Sequence, residues 1–582
     1  MKYICVNTLD KASEAINRIA SYPMVAVDTE TSGLDVFGKA RIAGVSVAGL
    51  DWAYYFPFNH VVPDIPATRR VKLGLFDKVW DKPGELWKDC LPKSLFDELF
   101  RVLFHTGKPL VFHNAKFDLI QLFVYRYFND KVINAVDLLG YINDLKPMFF
   151  NGYVADTFIA SKICWFTKPA DLTHLGFFLI DDVTLKSAEF KLIHLMKERG
   201  HHRQYHKVPP EEMTEYACCD AWVTFQLWHK VMLDQLHKKS SIDLYRQEMR
   251  LLHAVTCMEI KGVACSHKEL NTLRASCTEL LKYYKETSKD LSGRTFSFGS
   301  AKQITEAFNG LGIDIKTLAC QLPGVAKKRA KSKREGKRPS DLCADEEVML
   351  ATQHPLGRVV IDQRSVAHKQ AVYGEGFAYF EKPDYKIQEY HSDTDVFVVR
   401  ASFNQTGAIT GRFSSSDPNL QNLPRSEIKL AYESTNESLK KAASLIHPRR
   451  LFRPRPGKVL IKLDYSQMEY RVGAFFSREP RMLEAYNTGA DFHQMTLDLI
   501  NGKMGEGFIT RTEAKNVNFG VLYGMSLNGL AGQLRKPKQE VKEIYDICLS
   551  YFPTLATFSD QILSVLKQRG YIKNIYGRQY YV

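Results

Sequence analysis

Two short runs constrain the C-terminal half of this chain. In VLIKLD (459–464), four apolar side chains crowd into five positions after Gly457 and end on Asp464. That is the pattern of a buried strand delivering an acid at its C-terminal end. A helical pattern, SQMEYRVGAFF, begins two residues later. In RTEAKNVNFGVLYG (511–524), Arg511, Lys515, Phe519 and Tyr523 step by four. Each step advances about 40° around a helix, so the four share one broad face. Its cationic half suits phosphates and its aromatic half suits stacking on a base. An acid at the end of a buried strand can hold a cation against a triphosphate, and Glu469, one helical turn on, can sit beside a sugar. The competing readings are a helix packing Phe519 and Tyr523 into a core, and acids that only cap a helix or face water.

At 582 residues the chain exceeds a single core and should divide into roughly three to five domains. Apolar residues at 45% exclude wholesale disorder. A formal charge of +14 favours polyanionic partners. Eleven cysteines without C-x-x-C spacing suggest neither a zinc ribbon nor a disulfide framework. The N-terminus has no long apolar signal core, and no apolar run is long enough to span a bilayer. The expectation is a cytoplasmic protein with no membrane partner.

The N-terminal region alternates strand and turn. VAVDTE, RIAGVSVAG and WAYYFPF read as strands, and KPLVFHNAKFDLIQLF (108–123) reads as a strand running into an amphipathic helix. Helical patterns then dominate to about residue 236, and long helices are expected over 248–262 and 268–291. The basic run 323–340 reads as a mobile loop or solvated linker. The His-rich stretch 194–206 lacks acid or cysteine spacing and reads as an exposed connection.

Asp28 and Glu30, at i and i+2 on a strand, project from one face. Asp118 opens the following helix, and Tyr216 and Asp220 share a helical face at i and i+4. Converging acids repel unless cations offset them, which suits two divalent metals hydrolysing a phosphodiester, with Tyr216 orienting the water. Each piece alone is more often structural, but the ordered set D-x-E, N-A-K-F-D and Y-x-x-x-D is specific. Residues 23–220 thereby resemble the DEDDy 3′–5′ exonuclease family. The resemblance implies Asp28, Glu30, Asp118 and Asp220 as metal ligands, Tyr216 as the water-orienting residue, and Asp156 as a supporting acid behind them.

A second ordered set, TGAITGRFSSSDPNLQNLPR (406–425), DYSQMEYR (464–471), DFH (491–493) and RTEAKNVNFGVLYG, closely resembles family A DNA polymerases. FSFGSAKQITEAF, ADEEV and GYIKNIYGR extend the likeness over nearly the whole chain. It implies an α/β fold of right-hand architecture: an RNase H-like exonuclease domain (1–236), a helical thumb with palm entry helices (237–395), an incomplete α+β palm (396–470), and helical fingers with the start of the last palm segment (471–582). Asp464 is then a catalytic metal ligand and Glu469 the gate against a ribose 2′-OH. His493, Arg511 and Lys515 bind the triphosphate, Phe519 lies against the incoming sugar and base, and Tyr523 guards the template-side pocket. Arg412, Gln421 and Asn422 contact the primer–template, and Arg578 lies on the template side. Mg²⁺ or Mn²⁺, two per site, and deoxynucleoside triphosphates are the implied cofactor and substrates. Primer–template DNA and single-stranded 3′ ends are the implied partners.

The family pattern continues past GYIKNIYGR into a His-Asp-Glu hairpin, which does not occur in these 582 residues. The expectation is a split or partial polymerase of phage type, in the host cytoplasm, completed by a C-terminal fragment in trans. A processivity factor is a further candidate partner. The alternatives are a stand-alone 3′–5′ exonuclease with a DNA-binding polymerase-like region, and a non-catalytic primer–template scaffold.

Overall fold

The computed structural model describes residues 2–38, 40–62, 85–129, 131–165, 169–200, 204–322, 324, 325, 328, 344–381, 387, 388, 395–408, 410–424 and 437–581. All of the basic run 323–340 except Gly324, Val325 and Lys328 lies outside them. The described chain forms two compact units, Met1–Leu460 and Ile461–Val582.

The first unit opens with a six-stranded sheet of β1 (Lys2–Cys5), β2 (Val25–Thr31), β3 (Ile42–Ala48), β4 (Trp52–Pro57), β5 (Leu110–Phe112) and β6 (Val154–Asp156), in the order β1-β4-β3-β2-β5-β6. β2, β3 and β4 are antiparallel neighbours, while β5 and β6 run parallel to β2. This topology matches the RNase H-like expectation. β2 is central because Val25, Ala26 and Val27 are buried on both faces. Helix Pro210–Leu227 lies on the sheet through small side chains: Ala217, Cys218 and Ala221 pack against Ala48, Ala53 and Tyr55. Small residues allow close approach, which brings the helix's acidic positions down onto β2.

Beyond the sheet, helices Ile242–Lys261 and His267–Ser292 flank a strand, Val263–Cys265, which pairs antiparallel with Phe397–Val399. A second core forms around Leu273, Leu280, Tyr284, Phe308, Val359 and Phe377. A short hairpin joins Ser402–Asn404 to Ser414–Ser416. The second unit is a helical assembly from Met468 to Arg569 with a core of Tyr470, Phe492, Val517, Leu530, Ile544 and Phe552, followed by a hairpin of Tyr571–Lys573 and Gln579–Tyr581.

Three local expectations fail. VLIKLD is irregular: Val459, Leu460, Ile461 and Leu463 are 78, 62, 76 and 89% exposed. A strand exists only through its ladder, and among the described residues none pairs with this run. Helix Ala115–Tyr127 is not amphipathic, since Leu119 through Tyr125 are all buried between the sheet and neighbouring helices. The His-rich stretch is no exposed connection. Its first part ends helix Thr184–Arg199, where buried Arg199 pairs with Glu212 at 2.7 Å, and the His206 carbonyl accepts from the Val61 N–H at 2.8 Å.

Among the described residues every cysteine is a free thiol, and no helix is long and apolar enough to cross a membrane.

Burial holds His60 and His113 neutral, with pKa values lowered to about 3 and about 4. Their unfolded values lie near 6.5, so the unfolded chain takes up protons first and stability falls as pH drops below that point. Each histidine contributes a slope of about 1.4 kcal/mol per pH unit. Thermal melts from about pH 7 to about pH 5 should show His60→Gln with a shallower loss than wild type. Equal slopes would remove His60 from this account.

Candidate active sites

The N-terminal site is built where β2 meets two helices. Asp28, half-buried, and Glu30, 6% exposed, lie on β2. Asp220 is carried in by helix Pro210–Leu227. Asp28, Glu30 and Asp220 each offer an oxygen within 4.8 Å of the others. Asp118, on helix Ala115–Tyr127, is fixed by Thr29, whose N–H and Oγ1 donate to Oδ1 at 3.1 and 2.6 Å. All four predicted acids therefore assemble, three of them in mutual ligand range and Asp118 clamped beside them.

The electrostatics follow from burial without counterions. Among the described residues none of the four makes an ion pair. Burial raises the Asp28 carboxyl to about 7, against a lowering hydrogen bond from the Thr29 backbone. Burial, then repulsion from Asp28, Asp220 and Asp118, pushes Glu30 well above the carboxylate range. Asp118 and Asp220 are raised in the same way, by burial and then by Asp28. Glu30 Oε1 is buried with no hydrogen-bond partner among the described residues. An orphaned oxygen beside two further carboxylates is the donor set that hard divalent cations take. The residues present fit such ions.

Tyr216 sits one helical turn before Asp220 and stacks on Tyr205 with ring centroids 6.0 Å apart. Burial, and then the negative charge of Asp220, keeps its phenol protonated far above neutral pH. Asp156 does not stand behind the acids as expected. It accepts the N–H groups of Asn114, Ala115, Phe158 and Ile159 at 2.8–3.2 Å, tying two helix starts together.

The second unit organises the other predicted face. Thr510 and Glu513 form a capping box that starts helix Arg511–Leu522, with Tyr523 as its C-cap. Arg511 is ion-paired to Asp491, which also caps helix Phe492–Met504. Lys515 is exposed, its ammonium 5.8 Å from the centre of the Phe519 ring. Phe519 stacks on Tyr523 at 6.0 Å and meets Tyr470 at 4.9 Å. The Tyr523 hydroxyl donates to Glu469, in the first turn of helix Met468–Ser477. His493 is buried, with Nδ1 3.0 Å from Asn518 Nδ2. Burial, with Lys515 and Arg511 nearby, holds His493 below its usual range against the raising effect of Asp491. Asp464 is exposed in the irregular run and is not delivered by a strand. Arg578 is buried, its N–H bonded to Asn574 Oδ1 at 2.9 Å at the turn of the last hairpin.

In the first unit Arg412, Gln421 and Asn422 line one cavity of about 650 Å³ together with Glu248 and Gln405.

Family comparison agrees with this geometry. The model of DNA polymerase family A matches residues 267–582, more than half of the chain, and that of the 3′–5′ exonuclease matches residues 3–235. The chain belongs to DNA polymerase family A. The DNA polymerase I of Chloroflexus aurantiacus is 25% identical over 572 residues, covering 97% of this chain and 51% of that protein. That of Synechocystis is 27% identical over 575 residues, covering 97% and 48%. The thermostable enzyme of Thermus aquaticus is 29% identical over 384 residues, covering 65% and 41%. The chain thus spans about half the length of the curated relatives it matches. A solved structure described as the POL domain of Pol1 from M. smegmatis in complex with DNA primer-template and dNTP shares the fold, with TM-score 0.60 and 18% identity over 99% of this chain and 81% of that one.

Several residues of this family A chain escaped the sequence reading. Thr29 holds Asp118, Asp491 and Asn518 orient Arg511 and His493, and Tyr470 backs Phe519. Gly44, opposite Glu30 in the ladder, was also missed: a Cβ there would lie 2.2 Å from the Tyr55 hydroxyl, so glycine lets that ring lie beneath the acid. Only Asp491 carried a readable signal, as a cap just before a helical pattern.

Because four buried acids repel, Glu30→Gln should raise the melting temperature of metal-free protein by a few degrees, about 1–3 kcal/mol. Added Mg²⁺ or Mn²⁺ should stabilise wild type more than this variant in a thermal-shift assay. A destabilised metal-free variant would contradict the strain.

Proposed function

We propose that this chain is a DNA-directed DNA polymerase serving DNA replication, with a metal-dependent 3′–5′ proofreading exonuclease. The observation that carries the reading is the convergence of Asp28, Glu30 and Asp220, with Asp118 clamped beside them. These four would hold two divalent cations, Mg²⁺ or Mn²⁺, which supply Lewis-acid stabilisation of the leaving oxygen when bound. Tyr216, kept protonated, orients the attacking water beside Asp220. Thr29 keeps Asp118 aimed while a single-stranded 3′ end is cut. The exonuclease occupies 1–236, the thumb and palm entry helices 237–395, the partial palm 396–470 and the fingers 471–582.

For synthesis, Arg511, Lys515 and His493 receive the triphosphate of a deoxynucleotide. Lys515 supports the leaving pyrophosphate by charge and proton donation. Phe519 takes the sugar and base, Glu469 excludes a 2′-OH, and Tyr523, bonded to Glu469, closes the template side. Arg412, Gln421 and Asn422 grip the primer–template, and Arg578 shapes the template side from within its hairpin. Asp464 is a metal ligand of this second site. The exposed apolar run 459–463 supports a further reading, that a strand from a C-terminal polymerase fragment pairs there and brings a second carboxylate to Asp464.

With Mg²⁺ the chain should shorten a 5′-labelled single strand from its 3′ end, and Asp28→Ala should bring this below detection. Undiminished digestion by the variant would remove the assignment. Primer extension should be negligible for the chain alone and appear when a strand-bearing fragment with the missing carboxylate is added. Lys515→Ala should then lower it about a hundredfold. Robust extension by the chain alone would contradict completion in trans.

A further inference from the structure

Lys116 lies two residues before Asp118 on helix Ala115–Tyr127, yet its side chain serves another part of the unit. Its ammonium is 2.5 Å from Glu259 Oε1 and donates to the Phe403 carbonyl at 2.8 Å. The Phe403 N–H donates to the same Glu259 oxygen. The two charged side chains are only 13 and 7% exposed. Glu259 belongs to the last turn of helix Ile242–Lys261, and Phe403 is the middle residue of strand Ser402–Asn404. Towards the other end of that helix, Gln405 Nε2 donates to the carbonyl and Oε2 of Glu248 at 2.8 and 2.7 Å.

The hairpin whose loop contains Arg412 is thus fastened to one helix at two points, and one fastening extends to the helix bearing Asp118. The Lys116–Glu259 pair lines a cavity of about 1430 Å³ that also takes in Asn114, Arg400, Phe403 and Asn404. A buried ion pair adds little net stability over apolar residues of the same volume, whereas its geometry fixes register. Here it fixes the register between the exonuclease helix and the hairpin.

We infer that Lys116, Glu259 and the Phe403 backbone form a positioning tie that aligns a duplex primer end, held at the hairpin, with the carboxylate cluster. The inference rests on the function proposed above. Neither side chain touches substrate or the reacting atoms, so both are positioning residues. A free single strand reaches the acids without using the hairpin. A primer terminus on a template must be handed over from it, and only that second route depends on the tie.

The test uses the full chain with Mg²⁺ and two substrates: a 5′-labelled single strand, and the same strand as the mismatched 3′ end of a primer–template. In Glu259→Gln, nearly isosteric, kcat/KM on the primer–template should fall about tenfold, the scale of one charge-assisted hydrogen bond, and stay within about twofold on the single strand. Lys116→Met should behave alike. Because Phe403 offers both an N–H and a carbonyl, the reciprocal double variant Lys116→Glu/Glu259→Lys can meet both groups, and recovery of primer–template excision in it supports the tie. Equal loss on both substrates in Glu259→Gln would make the pair merely structural and overturn the inference, as would no loss on the primer–template. A wild-type chain inactive on single strands would instead remove the exonuclease assignment itself.

Discussion

Four carboxylates drawn together in the interior, with no cation among their described neighbours, govern how the first unit is built. The repulsion between Asp28, Glu30 and Asp220 is opposed by packing on every side. β2 is buried on both faces, Gly44 admits the Tyr55 ring beneath Glu30, and Ala217, Cys218 and Ala221 let the catalytic helix sit close to the sheet. Thr29 adds two hydrogen bonds that pin Asp118. A fold maximising stability would scatter these acids. Holding them together makes sense when divalent cations relieve the charge, because the same oxygens that repel one another are then a preorganised ligand set.

The two ends of the chain solve the positioning problem differently. The exonuclease acids depend on a closed sheet and buried helices. The nucleotide-facing residues of the second unit depend on side-chain links between helices: Arg511 with Asp491, His493 with Asn518, Tyr523 with Glu469. Such links set the spacing of cationic and aromatic groups along helix Arg511–Leu522 without burying them. Asp464 has neither kind of support, because a strand without a neighbour leaves its backbone groups and apolar side chains in water.

Much of this was legible beforehand where local pattern and tertiary fate agree. The alternation of VAVDTE, the strand-to-helix passage through HNAKFD, and the four-residue steps from Arg511 to Tyr523 all survive in the structure. VLIKLD failed because its apolar pattern specifies a strand only when a partner supplies the ladder. The 115–127 helix failed because periodicity cannot distinguish a half-buried helix from one covered on all sides. Asp156 failed for another reason: a buried acid beside acids reads as a ligand, whereas four backbone N–H groups already saturate it. Thr29, Asn518 and the Lys116–Glu259 pair depend on contacts across 89, 25 and 143 positions, which no local pattern records.

The central claim, that this buried cluster is a metal site, is tested most directly by anomalous diffraction from crystals grown with Mn²⁺. The account predicts two anomalous peaks among Asp28, Glu30, Asp118 and Asp220, with Glu30 Oε1 turned onto one of them. Crystals showing no peak there, with the four carboxyls hydrogen-bonded to one another as protonated acids, would contradict it.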